Sequence, residues 1–115
     1  MATKNRADVS LLAKNSNLAA LVNYQRSSVV SRTIIDRSAG SVTLFAFDQG
    51  QGLSEHTAPF DALVQIIDGE AVIIIDGHSI NLKSGEVTIM PANRPHALKA
   101  NPKFKMILVM IRGIE

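Results

Sequence analysis

Among the 115 residues, His56 and His96 are the side chains best suited to chemistry. A neutral imidazole offers one nitrogen lone pair and one N–H, and it changes charge near neutral pH. Two imidazoles brought together can grip a metal ion, pass a proton or orient a polar ligand. Each histidine closes a segment punctuated by glycine or proline. The first runs Gly50-Gln-Gly-Leu-Ser-Glu-His56, continues through Thr57 to Asp68 and ends at Gly69. The second runs Gly85-Glu-Val-Thr-Ile-Met-Pro91-Ala-Asn-Arg-Pro95-His96.

The two segments together resemble the paired motifs of the cupin superfamily, in which three histidines and a glutamate hold one metal inside a small β-barrel. Gly50, His56 and Gly69 match the first motif, and Gly85, Pro91 and His96 match the second. Asn93 stands where the second motif has glycine, and asparagine also tolerates left-handed backbone angles. The family's second histidine falls on Ala58 and its glutamate on Ala62, so one histidine remains from each motif. The asparagine expected after His96 falls on Ala100, with Asn101 one place late. The resemblance covers about residues 41 to 112. It implies an all-β fold, a double-stranded β-helix or cupin jelly-roll barrel, with His96 across the barrel from His56. Both histidines would point inward, within reach of one metal ion. The same fold serves many activities, so the likeness speaks to architecture more than to reaction.

His56 and His96 are thus the candidate metal ligands, and the candidate cofactor is a divalent transition metal (Ni, Zn, Mn or Fe) that is weakly bound or absent. Structural zinc takes four protein ligands and catalytic zinc usually three, so a third group is wanted. Asp61 adjoins the vacant glutamate position, but strand alternation points it away from the face of Ala62 unless a bulge re-aims it. Glu55 points outward by the same rule, and Gln51 lies in a loop. Without a metal, Ala58 and Ala62 open apolar room beside the imidazoles. Phe60, Met90, Met106 and Met110 are then candidate wall residues, although methionine also serves as ordinary core filler. A concave apolar pocket with a few polar groups is the common form of a small-molecule site. His78 follows a hairpin turn and is expected to be exposed. Arg94, between Asn93 and Pro95, is expected at the surface near the barrel mouth. No Gly-x-Ser-x-Gly, phosphate loop or His-Glu-x-x-His pattern occurs.

The elements that must hold these residues are short strands. From Ser27 onward the chain is β-branched and alternating. It predicts strands at Ser28–Ile35, Ser41–Phe47, Leu53–Thr57, Ala62–Ile67, Ala71–Ile75, Ser79–Leu82, Glu86–Met90, His96–Lys99 and Phe104–Ile111. Asp76-Gly77 supplies the positive φ angles of a tight hairpin, and Asp68-Gly69 marks a bend between sheets. Residues 1 to 9 read as frayed, and a short helix is predicted over Asn17 to Asn23, capped by Asn15 or Ser16. One domain follows, with residues 1–26 as an N-terminal extension and 27–115 as the barrel. In Ala62–Ile67 one face carries Ala62, Val64 and Ile66, the other Leu63, Gln65 and Ile67, and both are largely apolar. A barrel has one interior, so the outer face needs cover. A second copy of the chain, giving a homodimer, is the expected cover, and the N-terminal segment is the alternative.

Composition bounds the partners. Cysteine is absent, which excludes disulfides and thiolate metal sites. No run approaches the ~20 apolar residues that span a bilayer, and no signal-like apolar core follows the polar start, so a cytoplasmic protein without membrane contact is expected. Net charge is only +2, the basic residues are scattered and aromatics make up 4%, which argues against nucleic-acid binding. The leading functional reading is a small-molecule-binding domain whose pocket is lined by His56, Ala58, Phe60, Ala62, Met90, His96 and Met106. The alternative is a metal-dependent enzyme of dioxygenase, isomerase or decarboxylase type using the two histidines. A third is an interaction domain whose barrel is filled by its own side chains.

Overall fold

The computed structural model describes residues 6–113. Nine strands lie in chain order as β1 (Arg6–Ala7), β2 (Val29–Arg37), β3 (Gly40–Phe47), β4 (Gly52–His56), β5 (Ala62–Ile75), β6 (His78–Lys83), β7 (Val87–Met90), β8 (His96–Lys99) and β9 (Phe104–Ile111). All paired strands are antiparallel. One sheet runs β1-β2-β3-β9-β5-β7 and the other β6-β5-β8-β4, so β5 belongs to both. The architecture is the all-β barrel that the family resemblance implied.

The sequence suggested two strands on either side of Asp68-Gly69; the structure joins them into one 14-residue strand that bends there. Before the bend β5 pairs with β9 and β7, and after it with β6 and β8. The backbone stays extended because each half finds a ladder partner, which spares its polar groups from burial unpaired. Gly69 makes the change possible. Its φ is +75°, and a Cβ there would collide with the Lys103 carbonyl oxygen. Asp76 (φ 54°) and Gly77 (φ 81°) form the hairpin between β5 and β6, as the Asp-Gly pair predicts.

Alternation sends Val64, Ile66, Ile73, Leu98 and Met106 into the barrel, where all are buried with Phe47 and Phe104. The Phe47 and Phe104 rings stack with centroids 4.6 Å apart. A smaller cluster lies on the outer face of the larger sheet, where Leu44 and Ala46 meet Val22, with Leu21, Tyr24, Ile67 and Ile107 packed around them. The N-terminal segment therefore covers the Ile67 end of the apolar outer face within one chain. Arg32 ties it down, donating to Asp8 Oδ2 at 2.9 Å, the Leu21 carbonyl at 3.1 Å and Ser10 Oγ at 3.0 Å. Tyr24 donates to Asp68 Oδ2 at 2.5 Å.

The segment is not the helix expected at Asn17–Asn23. It holds two single 3₁₀ turns, Val9–Leu11 and Leu18–Leu21, and the Asn17 side chain makes no capping bond. A helix this short does not repay its own nucleation, so packing on the sheet sets the conformation. Arg6 and Ala7, expected to be frayed, pair with Asp36 and Ile35; residues 1–5 lie outside the described residues.

Gly69→Ala should be far more damaging than Gly77→Ala. Both positions have positive φ, but added bulk at Gly77 meets nothing within 4 Å. The expected losses in urea-unfolding stability are about 1–2 kcal/mol at Gly77 and about 2–5 at Gly69, where overpacking adds to the backbone cost. Equal losses at the two sites would mean that the close approach to Lys103 is not a constraint.

Candidate functional site

His56 ends β4, and His96 begins β8. These strands are neighbours, and the two histidines stand opposite each other in register. The pair is thus side by side, not across the barrel as the family likeness implied. The ladder carries a register shift between Leu53 and His56. A bulge of this kind re-aims a side chain, and here both imidazoles turn toward the barrel. Their Nε2 atoms are 3.2 Å apart, and the rings meet edge to face with centroids separated by 4.4 Å and planes at 71°.

Backbone carbonyls determine which nitrogens meet. His56 Nδ1 lies 2.9 Å from the Ser54 carbonyl oxygen, and His96 Nδ1 lies 3.2 Å from that of Arg94. A carbonyl only accepts, so each Nδ1 carries the hydrogen, and in the neutral rings both Nε2 atoms present lone pairs. Two lone pairs converge on one point and repel unless something electropositive comes between or beside them. Protonation of His96 itself is disfavoured. His96 is 4% exposed, and burial first, then the neighbouring His56 ring, push its pKa below the ordinary imidazole value, with the Arg94 carbonyl offsetting part of the shift.

The loops around the pair are stapled to one another. Asn93 N–H donates to the Ala58 carbonyl at 2.7 Å, and Asp76 N–H to the Pro95 carbonyl at 2.8 Å. Asp61, weighed above as a third ligand, instead accepts the Ala92 N–H at 2.8 Å and caps the loop before His96. Arg94 is a surface side chain paired with Asp76. Glu55 and Gln51 line a groove on the outside of the barrel beside Lys99 and Asn101. His78 is exposed. Among the described residues no three of His, Cys, Asp and Glu converge as a metal cage.

Below the imidazoles is a cavity of about 50 Å³. His56, Ala58, Phe60, Ala62, Met90, His96 and Met106 line it, as do Met110, Leu53, Leu98 and Leu108. The last three were missed from sequence. Alternation could have found Leu98, two places after His96, and Leu108, between Met106 and Met110. Leu53 has the wrong parity relative to His56, and only the bulge brings it inward. The volume has room for a few water molecules at ~10–15 Å³ each.

Stability should depend on pH through His96. Its folded pKa lies below the unfolded value of about 6.5. Between the two values the unfolded chain binds more protons, so this contribution is complete above pH 6.5 and is lost as pH falls through the lowered folded pKa. Urea unfolding across pH 7.5 to 5 should show falling stability in the wild type and a flatter profile in His96→Gln. Parallel profiles would show that His96 is not held neutral by burial.

This geometry sits in a recognisable setting. A cupin-domain family model matches residues 43–112. The structure superimposes on a conserved protein of unknown function from Streptococcus pyogenes with TM-score 0.87 and 34% identity, covering 100% of this chain and 98% of that one. A cupin superfamily protein from Desulfitobacterium hafniense aligns with TM-score 0.82 and 29% identity, over 96% of this chain and 98% of the other. A salicylate 1,2-dioxygenase variant from Pseudoaminobacter salicylatoxidans shares the fold alone, with TM-score 0.67 and 12% identity over 72% of this chain and 25% of that enzyme. None of the curated proteins matches. With its family match across most of the β region and the barrel that match requires, the chain belongs to the cupin family.

Proposed function

We propose that this chain binds a small molecule in its barrel and anchors it through the Nε2 atoms of His56 and His96. The supporting observation is that both Nδ1 atoms are engaged by backbone carbonyls, which leaves two Nε2 acceptors 3.2 Å apart at a cavity otherwise lined by apolar side chains. The complementary group donates a hydrogen bond or carries positive charge. The cavity takes only a few heavy atoms, so a larger ligand leaves through the mouth, where His56 is exposed. Leu53, Leu98, Met90 and Met106 exclude water around the anchored group and strengthen its polar contacts.

A divalent metal with a reduced two-histidine site is the second reading. Its support is the Nδ1 tethering, since a metal-ligating histidine usually donates its other N–H to a carbonyl or carboxylate. Such an ion would polarise a bound oxygen. The donor set fits it poorly, because among the described residues no third His, Asp or Glu joins the pair. We derive no catalytic step through it.

We further infer a homodimer. By register Ile89, Leu63, Val109 and Val42 form one row across four strands on the outer face of the larger sheet, and Ile35 stands opposite Val42 on the fifth. Ile89 is 57% exposed, beyond the part of this face that the N-terminal segment covers. No helix among the described residues is long and apolar enough to cross a membrane, and the reading is of a cytoplasmic protein without nucleic-acid partners.

A metabolite panel rich in small hydroxyl- and amine-bearing compounds, screened by thermal shift, tests the binding reading. A ligand at about a hundred times its Kd stabilises by ~2.7 kcal/mol, which raises the Tm of a domain this size by roughly ten degrees. The shift should vanish in His56→Ala. A panel without any hit, or hits indifferent to His56, would remove the reading. For the assembly, light scattering should give twice the chain mass for the wild type and one chain mass for Ile89→Lys. A wild-type monomer at 100 μM would rule the dimer out, that concentration being about a hundredfold above a micromolar Kd.

A further inference from the structure

Apart from Met1, every methionine in the chain lines the cavity beneath the two histidines. Their placement follows from the ladder. Met90 on β7 and Met110 on β9 both stand opposite Ala62, one on each side. Met106 lies deeper, opposite Ile66. The family likeness places a glutamate at Ala62, so two thioethers flank the position from which the carboxylate is missing. The short side chains of Ala58 and Ala62 leave that position open, and both line the same cavity.

The donor set is soft and uncharged. It comprises two imidazole nitrogens with free lone pairs and the thioether sulfurs. The carboxylates near the site are all directed elsewhere. Asp61 accepts the Ala92 N–H, Asp76 pairs with Arg94, and Glu55 faces the outer groove. The cost of moving an ion from water into a low-dielectric cavity grows with the square of its charge, and neutral ligands offset less of the second charge of a divalent ion than a carboxylate would. The missing carboxylate therefore penalises a divalent guest more than a monovalent one. Thioether sulfur, moreover, selects copper(I) among the biological transition ions, and imidazole also suits copper.

We propose that the cavity is a copper(I) site, in which Nε2 of His56 and Nε2 of His96 are joined by the thioether sulfur of Met90 or Met110. The proposal rests on the reading of the Nε2 pair as the pocket's anchor and names the guest that best matches the rest of the lining. A single positive charge between the facing lone pairs removes their repulsion, and the thioether supplies the third donor that no carboxylate or histidine provides. The surrounding leucines and Phe60 keep bulk water from the ion.

The test uses untagged full-length protein under anaerobic conditions, titrated with copper(I) buffered by a chromophoric bidentate chelator, and separately with zinc(II). Leucine replaces methionine at nearly constant volume, so Met90→Leu, Met110→Leu and their double variant should fold; circular dichroism checks this. The wild type should bind one copper(I) per chain, at least tenfold more tightly than the double methionine variant. His56→Ala/His96→Ala should abolish binding. X-ray absorption at the copper edge should show sulfur scattering in the wild type that is lost in the double methionine variant. Zinc(II) affinity should be the same in the wild type and the methionine variants. Equal copper(I) affinity in the methionine variants, or a copper spectrum without sulfur, overturns the thioether assignment. Zinc(II) binding without copper(I) binding overturns the soft site. Failure of both ions overturns this proposal alone if metabolite hits dependent on His56 remain, and together with the anchor reading if they do not.

Discussion

The architecture depends on one strand serving two sheets. β5 carries Val64 and Ile66 into the core on one side of the bend at Gly69 and Ile73 on the other, so both halves of the barrel wall are anchored to a single backbone. The constraint is steric. The chain must pass so close to Lys103 that only hydrogen fits at Gly69. From that bend follow the pairing of β7 and β9 with the first half and of β6 and β8 with the second, and thereby the position of the strand that begins at His96.

The site is oriented by backbone more than by side chains. The usual device for fixing a histidine is a carboxylate behind the ring. Here the Ser54 and Arg94 carbonyls do the same, each two residues before its histidine. Orientation is thus encoded in local chain conformation, and the loops providing it are stapled by Asn93 to Ala58 and by Ala92 to Asp61. A neutral carbonyl adds no charge, so the arrangement orients the rings and fixes their tautomer while raising their basicity less than a carboxylate would. The selectivity of the pocket then rests on the rest of its lining, which is aliphatic, aromatic or thioether.

Much of the fold was legible because alternation and turn chemistry are local. Strand positions, the Asp76-Gly77 hairpin and the grouping of Ala62, Val64 and Ile66 on one face could all be read from neighbouring residues. The seven residues expected at a pocket do meet at one cavity, because each lies at an inward position of its strand or at the loop joining two of them. What could not be read depended on register. Nothing in the sequence announces the bulge that puts His56 opposite His96 and turns Leu53 inward. The short helix is reduced to the 3₁₀ turn Leu18–Leu21 for a related reason. Leu18 and Leu21 have helical spacing, but Leu18 stays exposed while Leu21 and Val22 pack in one cluster with Leu44 and Ala46, far along the chain, and a single turn suffices to reach it.

The two histidines differ in how firmly their strands are held. β8 lies between β5 and β4, with ladder bonds on both sides, whereas β4 is the margin of its sheet and pairs with β8 alone. An edge strand with an irregular register opens at lower free energy than a strand bonded on both sides. One imidazole is therefore fixed to the frame and the other rides on its most easily released member. Separation of β4 from β8 would part the rings and widen the mouth of the cavity together. Residence time in the pocket would then be governed by the backbone hydrogen bonds between the two strands that carry the histidines, as well as by the side-chain contacts with the guest.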